Sequence, residues 1–81
     1  MQTTSKPVVN GTPEFYITVV RDVQWRVGEG MLQDLPKCKM AVNEAIGSWI
    51  LSWVEDGEPV TAALAKEEFE LYLQRGDITR D

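Results

Sequence analysis

KMAVNEAIGSWILSWV, residues Lys39–Val54, is the longest apolar-rich run of the chain and carries Trp49 and Trp53, two of its three tryptophans. Val42, Ala45, Ile46, Trp49, Ile50 and Trp53 recur within it at helical spacing. That spacing predicts an amphipathic helix over residues 40–55. As one strand the run is too long and does not alternate, and it holds no proline. Asn43, Glu44, Ser48 and Ser52 mark a polar side. Leu51 and Val54 fall off the main stripe and widen the apolar surface, as expected of a segment buried in a core or against a partner. Asp56-Gly57 reads as the stop, with Gly57 a natural left-handed residue and Pro59 forbidding continuation. Gly47 costs about 1 kcal/mol relative to Ala inside a helix, and reads as a site of close packing by another element.

Upstream, Glu14–Gly28 supports two patterns. Phe15, Ile17, Val19, Val23, Trp25 and Val27 occupy six of the seven odd positions from 15 to 27, Arg21 being the exception. This is strand alternation, in residues that are mostly β-branched or aromatic. Arg21-Asp22 is then the point where a hairpin turns, although the pair is a poor sequence for a primed turn. The rival is a helix started by Thr12-Pro13-Glu14, with Tyr16, Val19, Val20, Val23 and Val27 as its stripe. That stripe misplaces Phe15, Ile17 and Trp25, so the hairpin is preferred.

Gly28-Glu29-Gly30 reads as a flexible link. Met31–Cys38, with Pro36, reads as loop holding a short turn or strand. Downstream, Thr61 is placed to cap a second helix, Ala62–Arg75, stopped by Gly76. Its stripe is Ala62, Ala65, Phe69, Tyr72 and Leu73. Lys66 and Glu70 are spaced for a weak pair, in the less favourable order.

Eighty-one residues allow one domain with a small stability margin. No run approaches the roughly 20 apolar residues of a membrane-spanning helix. The start, MQTTSKPVVNGT, lacks the apolar region of a signal peptide. Cys38 is the only cysteine and has no disulfide partner in the chain. Both features point to a reducing, cytoplasmic setting. Asn10-Gly11-Thr12 matches a glycosylation sequon by chance in that setting. Charge is uneven: residues 1–40 sum to +1 and residues 41–81 to −6, giving −5 in all. An acidic C-terminal half disfavours phosphate backbones and suits either solvation or docking on a basic protein surface.

The chain has no histidine, which removes the commonest general base and metal ligand. Gly28-Glu29-Gly30 is too little for a dinucleotide fingerprint, and no Walker-type loop is present. Glu55, Asp56 and Glu58 are clustered carboxylates, but an exposed turn offers nothing to set their pKa values apart, and calcium-loop spacing is missing. Lys37 and Lys39 flank Cys38 and are the only local positive cluster. Nearby cations can lower a thiol pKa, yet a half-buried inert thiol is the better reading. The sequence therefore implies no enzyme, no cofactor, no catalytic residue and no metal site. Trp25, Trp49 and Trp53 read as core or dimer-interface residues, because a base-stacking platform needs a basic groove beside it.

Asp34-Leu35-Pro36-Lys37-Cys38, then Asn43-Glu44-Ala45-Ile46, then Glu55-Asp56-Gly57-Glu58-Pro59-Val60 resembles the pattern of HicB-type antitoxins. Those show a DLPGC-like stretch, a helix of EEA type and an acidic turn with proline. Lys37 stands where the family has Gly, the spacer before the helix is several residues short, and the likeness covers under half the chain. It implies a small sheet with helices that masks a toxin protein, and it marks no site residue here. Size, acidity and missing catalytic groups also resemble small phage or mobile-element accessory proteins, inhibitors of host defence among them.

These readings combine into an α+β expectation: a small single domain over residues 13–76 in which an N-terminal β-hairpin packs on two helices. A loose arm, 1–12, and a polar tail, 77–81, flank it. The alternative is an all-α three-helix arrangement. The function expected is a non-enzymatic protein-binding module, an inhibitor or antitoxin that docks acidic residues on a basic partner. Glu55, Asp56, Glu58, Glu67, Glu68 and Glu70 are the candidate contacts. A DNA-binding regulator using Lys6, Arg21, Arg26, Lys37 and Lys39 is a second possibility, though nucleic acid is disfavoured by charge. A structural subunit closing a homodimer through Trp49 and Trp53 is a third.

Overall fold

The computed structural model describes residues 12–26 and 30–81. The expected N-terminal arm, apart from Thr12, falls outside them, as do Lys6, Asn10-Gly11, Val27 and the Gly28-Glu29 part of the expected link. The expectation of two long helices is overturned. The described residues are mostly β, with one helix. Its strands are β1 (Phe15–Val19), β2 (Gln24–Arg26), β3 (Leu32–Asp34), β4 (Lys39–Ala45), β5 (Ser48–Glu55) and β6 (Glu58–Ala65). The helix α1 (Lys66–Arg75) follows, and β7 (Ile78–Arg80) closes the chain. Five strands form one antiparallel sheet in the order β6-β5-β4-β1-β7, and β2-β3 form a separate two-stranded sheet.

The tryptophan-bearing run is a hairpin, not a helix. Ile46-Gly47 is its turn, with Ala45 paired to Ser48 and a left-handed backbone at Gly47 (φ 77°). On β4, Met40 and Val42 face the core; on β5, Leu51 and Trp53 do so. Ile46, central to the helical stripe, is fully exposed. The apparent 3.6-residue period arose because β5 carries apolar residues on both faces. Trp49 and Ile50 then look like helix neighbours although their side chains leave opposite sides of the strand.

Asp56-Gly57 is a second turn rather than a helix stop. Both residues are left-handed (φ 52° and 79°), and Glu55 pairs with Glu58. Positive φ at both central residues is the primed turn whose twist suits a two-residue hairpin, and Asp-Gly is one of its favoured sequences. β6 then alternates strictly. Ala62 and Leu64 are buried, whereas Thr61, Ala63 and Ala65 are exposed. Pairing along β5 thus overrides the helix preference of Ala62, Ala63 and Ala65. The helix begins at Lys66 instead of Ala62, with Ala65 at its N-cap and no side-chain cap; Thr61 is not its cap. Gly76 ends it as expected, with φ 80° and its N–H bonded to the carbonyls of Leu73 and Tyr72.

Residues 15–19 and 24–26 are strands, but they do not pair as a hairpin. β1 lies between β4 and β7, and β2 pairs with β3. No residue from Val20 to Val23 has a positive φ, so Arg21-Asp22 does not form the tight turn that pairing needs. The odd-numbered face is still the packed one: Ile17, Val19 and Val23 are buried, with Phe15 and Trp25 against them. Phe69, Tyr72 and Leu73 of α1, with Leu35, Val23 and Trp25, cover this one face of the large sheet. Phe15, Trp49 and Phe69 meet there with ring centroids 5.3–6.1 Å apart.

Candidate functional site

Alternation assigns the opposite face of the large sheet to Tyr16, Thr18, Lys39, Ala41, Asn43, Ala45, and the even residues of β5 with the odd residues of β6. Register places Tyr16, Ala41, Ser52 and Thr61 side by side across four strands. Asn43, Ile50 and Ala63 form the next row, and Ala45, Ser48 and Ala65 the one beyond. Among the described residues no element packs on this face. Tyr16, Val54, Pro59, Thr61, Ala63 and Ala65 are exposed; Ala41, Ala45 and Ile50 are half-buried. A sheet face open to water is ordinarily polar and charged. This one carries charge only at its β1 side. There Lys39 Nζ lies 3.7 Å from Asp81 and 5.0 Å from the centre of the Tyr16 ring. The Asp81 carboxylate also accepts from Thr18 Oγ1 at 3.3 Å.

Two polar atoms on this face, Asn43 Oδ1 and Ser52 Oγ, are buried among their neighbours and have no hydrogen-bond partner among the described residues. Asn43 does donate through Nδ2 to the Thr12 carbonyl at 3.4 Å. Orphaned polar atoms of this kind are uncommon in folded proteins. Sequence reasoning missed the face entirely. Its one signal was the run of small residues at alternate positions of β6, which a helical reading scatters around a cylinder.

The six candidate acidic contacts are all exposed, but the fold divides them. Glu55, Asp56 and Glu58 cluster at the β5–β6 turn. Glu67, Glu68 and Glu70 lie on α1, which begins at the other end of β6, roughly 23 Å away at 3.3 Å per strand residue. By alternation the Glu55 and Glu58 side chains leave the sheet on the same side as α1, so distance along β6, and not a change of face, separates the two groups. Glu67 and Glu68 sit in the first helical turn, where negative charge complements the helix dipole. Lys66 pairs with Glu44 rather than with Glu70, and its ammonium stands 5.2 Å over the Trp49 ring. Trp53 is buried with its indole N–H unpaired among the described residues, while Trp25 and Trp49 are half-buried against the core.

The described cations proposed for DNA are each engaged locally. Arg21 donates to the Arg75 carbonyl, Arg26 to the Gly30 carbonyl, Lys37 contacts Asp22 at 2.9 Å and Lys39 faces Asp81. They do not make a bare basic groove. The Asp22–Lys37 contact lowers the Asp22 pKa and raises that of Lys37, chiefly through their hydrogen bond. Both lysines flanking Cys38 are thus occupied, and burial, followed by the negative charge of Glu55, pushes the thiol pKa up. That direction is the opposite of an activated cysteine. Arg75 Nε lies 3.4 Å from the buried Asp77 Oδ2, without the alignment of a hydrogen bond. Among the described residues no cluster of three or more histidine, cysteine or carboxylate groups is arranged to hold a metal, and no helix is long and apolar enough to cross a membrane.

No family model matches the chain, and neither a curated protein nor a solved structure matches it significantly. The segment whose likeness to HicB-type antitoxins implies a helix, Asn43-Glu44-Ala45-Ile46, is instead the end of β4 and its turn.

Proposed function

We propose that this chain is a small non-enzymatic protein-binding module that docks through the uncharged face of its sheet. The observation that carries the reading is that face itself. It is largely apolar or hydroxyl-bearing, is left bare by the described elements, and belongs to a chain of net charge −5. Apolar patches rimmed by polar groups mark interaction surfaces, and interface centres are depleted of charge while their rims are not. Glu55, Asp56 and Glu58 supply an acidic rim at one end, which suits a partner with basic residues around an apolar contact. Partner donors that reach Asn43 Oδ1 or Ser52 Oγ would satisfy atoms now orphaned. Inhibition of the bound protein follows if the contact covers that protein's own working surface, and a cytoplasmic setting accommodates it.

The test is affinity capture with wild-type chain and two sets of variants, each checked for folding by circular dichroism. Ile50→Lys and Ala63→Lys put charge on the open face. Glu67→Lys with Glu68→Lys and Glu70→Lys reverses the helix. The expected result is a protein retained by wild type and by the helix variant but lost by the face variants. Retention by the face variants and loss by the helix variant would move the site to α1 and end this reading.

A further inference from the structure

β6 is an edge strand, and its free edge has a self-complementary sequence. The Asp56-Gly57 turn makes Glu55 and Glu58 the first hydrogen-bonded pair of the hairpin. The N–H and C=O groups of Val60, Ala62 and Leu64 therefore point toward β5, and those of Thr61, Ala63 and Ala65 point away. Pro59 shares this outward set, where its missing N–H costs no bond within the sheet. Among the described residues no strand pairs with this edge. Natural edges are protected by charge, bulges, prolines or covering elements. Between Val60 and Ala65 this edge has no charge and no proline. Pro59, Thr61, Ala63 and Ala65 are all exposed.

The charges that flank the edge are opposite in sign. Glu58 precedes the uncharged residues 59–65 and Lys66 follows them, so the pattern is symmetric about Ala62 with the sign inverted. An antiparallel strand of identical sequence fits such a pattern when Ala62 lies opposite Ala62 of the second copy. Thr61 then exchanges backbone hydrogen bonds with Ala63 of the second copy, and the Ala65 N–H reaches the Pro59 carbonyl of that copy. Val60 lies opposite Leu64 of the second copy, on the core side of both sheets. Glu58 lies opposite Lys66 of the second copy, and the two-fold axis repeats the ion pair. Lys66 is only partly covered by its contact with Glu44, its side chain being 37 % exposed. A contact through α1 or the β5–β6 turn would instead set the acidic side chains of the two copies against each other.

We infer that the chain forms a two-fold homodimer by antiparallel pairing of β6 with β6 of a second copy, centred on Ala62. The two five-stranded sheets become one continuous sheet, and the uncharged faces of both copies join on one side of it. This goes beyond the docking reading and stands without it, because its test uses no other protein.

Sedimentation equilibrium at micromolar concentration should give a dimer for wild type. Glu58→Lys sets like charges opposite each other at both ends and should weaken the dimer by roughly tenfold or more. A second chain carrying Glu44→Lys with Lys66→Glu keeps its internal pair in reversed sign, and should likewise lose the homodimer. Mixing the two restores both intermolecular pairs and should give a heterodimer. Ala63→Pro removes one outward donor at a position where proline is tolerated, and should give a folded monomer by circular dichroism. A wild-type monomer would overturn the proposal, leaving the edge for a strand of a different protein. A dimer indifferent to Glu58→Lys and to Ala63→Pro would overturn it too, and failure of the mixed pair would overturn the register.

Discussion

Replacing Leu51 by alanine should cost far more stability than replacing Ile46, although the helical reading of the same run ranks them the other way. Leu51 is completely buried on β5, flanked by Val42 on β4 and Ala62 on β6. Truncation removes three carbons from a closed core. Transfer alone is worth about 2.4 kcal/mol at 0.8 per methylene, and the residual cavity brings the loss to about 3–4 kcal/mol. A domain of this length has roughly 4–12 kcal/mol in total, so the variant is left near the edge of folding. Ile46 has full solvent exposure at the β4–β5 turn, and its truncation should change stability by less than about 0.5 kcal/mol. Urea unfolding followed by tryptophan fluorescence measures both, with the slope of the transition held as the check on two-state behaviour. The melting temperature of Leu51→Ala should fall by about 12–32 °C. Equal losses at the two positions, or a larger loss at Ile46, would refute the strand assignment of the whole run.

Four further expectations rest on other features. Gly57 has φ 79° with open space where a Cβ would lie, so Gly57→Ala meets conformational strain and no clash; it should lose about 1–2 kcal/mol in the same urea assay. Asp56→Asn, at φ 52°, should be neutral or slightly stabilising because Asn-Gly is the better primed-turn pair. A double-mutant cycle on Glu44→Gln and Lys66→Gln should give a coupling under about 1 kcal/mol that shrinks with added salt, since both side chains are partly exposed. Cys38 should react with a thiol reagent at neutral pH more slowly than a free cysteine, and Glu55→Gln should speed it by removing a charge that holds the proton on. Because the folded thiol holds its proton more tightly than the unfolded one, its contribution to stability is complete below the ordinary value of 9.0 and is lost as pH rises through the higher folded value.

Much of the packing was legible in the sequence where period 2 stood alone. The odd residues from Phe15 to Trp25 were singled out as one face, and Ile17, Val19 and Val23 are buried. The end of α1 at Gly76, and the inward set Phe69, Tyr72 and Leu73, were likewise visible because a left-handed glycine follows a clean helical stripe. Residues 39–65 were misread for one reason repeated. Trp49-Ile50-Leu51 fills both faces of β5, which erases alternation and mimics a helix. The two glycine turns that break the run, Ile46-Gly47 and Asp56-Gly57, read within a helical pattern as a packing site and a stop. Asp-Gly between apolar stretches is a hairpin signal, and giving it that weight would have turned the C-terminal half into strands. Of the candidate contacts, the acidic residues were visible as charge, but their division between a turn and a helix at opposite ends of β6 depends on pairing that no local pattern encodes.

The distribution of charge now has a structural explanation rather than a compositional one. Among the described residues 41–81, carboxylates occupy the β5–β6 turn, α1, the α1–β7 connection and the ends of strands; the bare face carries only Asp81, at its β1 side, and the free stretch of β6 carries none. Acidic side chains at these margins keep copies of a −5 chain apart in every orientation except those that bring neutral surface to neutral surface. Repulsion therefore acts as a selector. It leaves the sheet edge, with Glu58 and Lys66 at its two ends, as a contact in which two copies set opposite charges together, and it leaves the uncharged face for a partner that carries its basic residues around the rim.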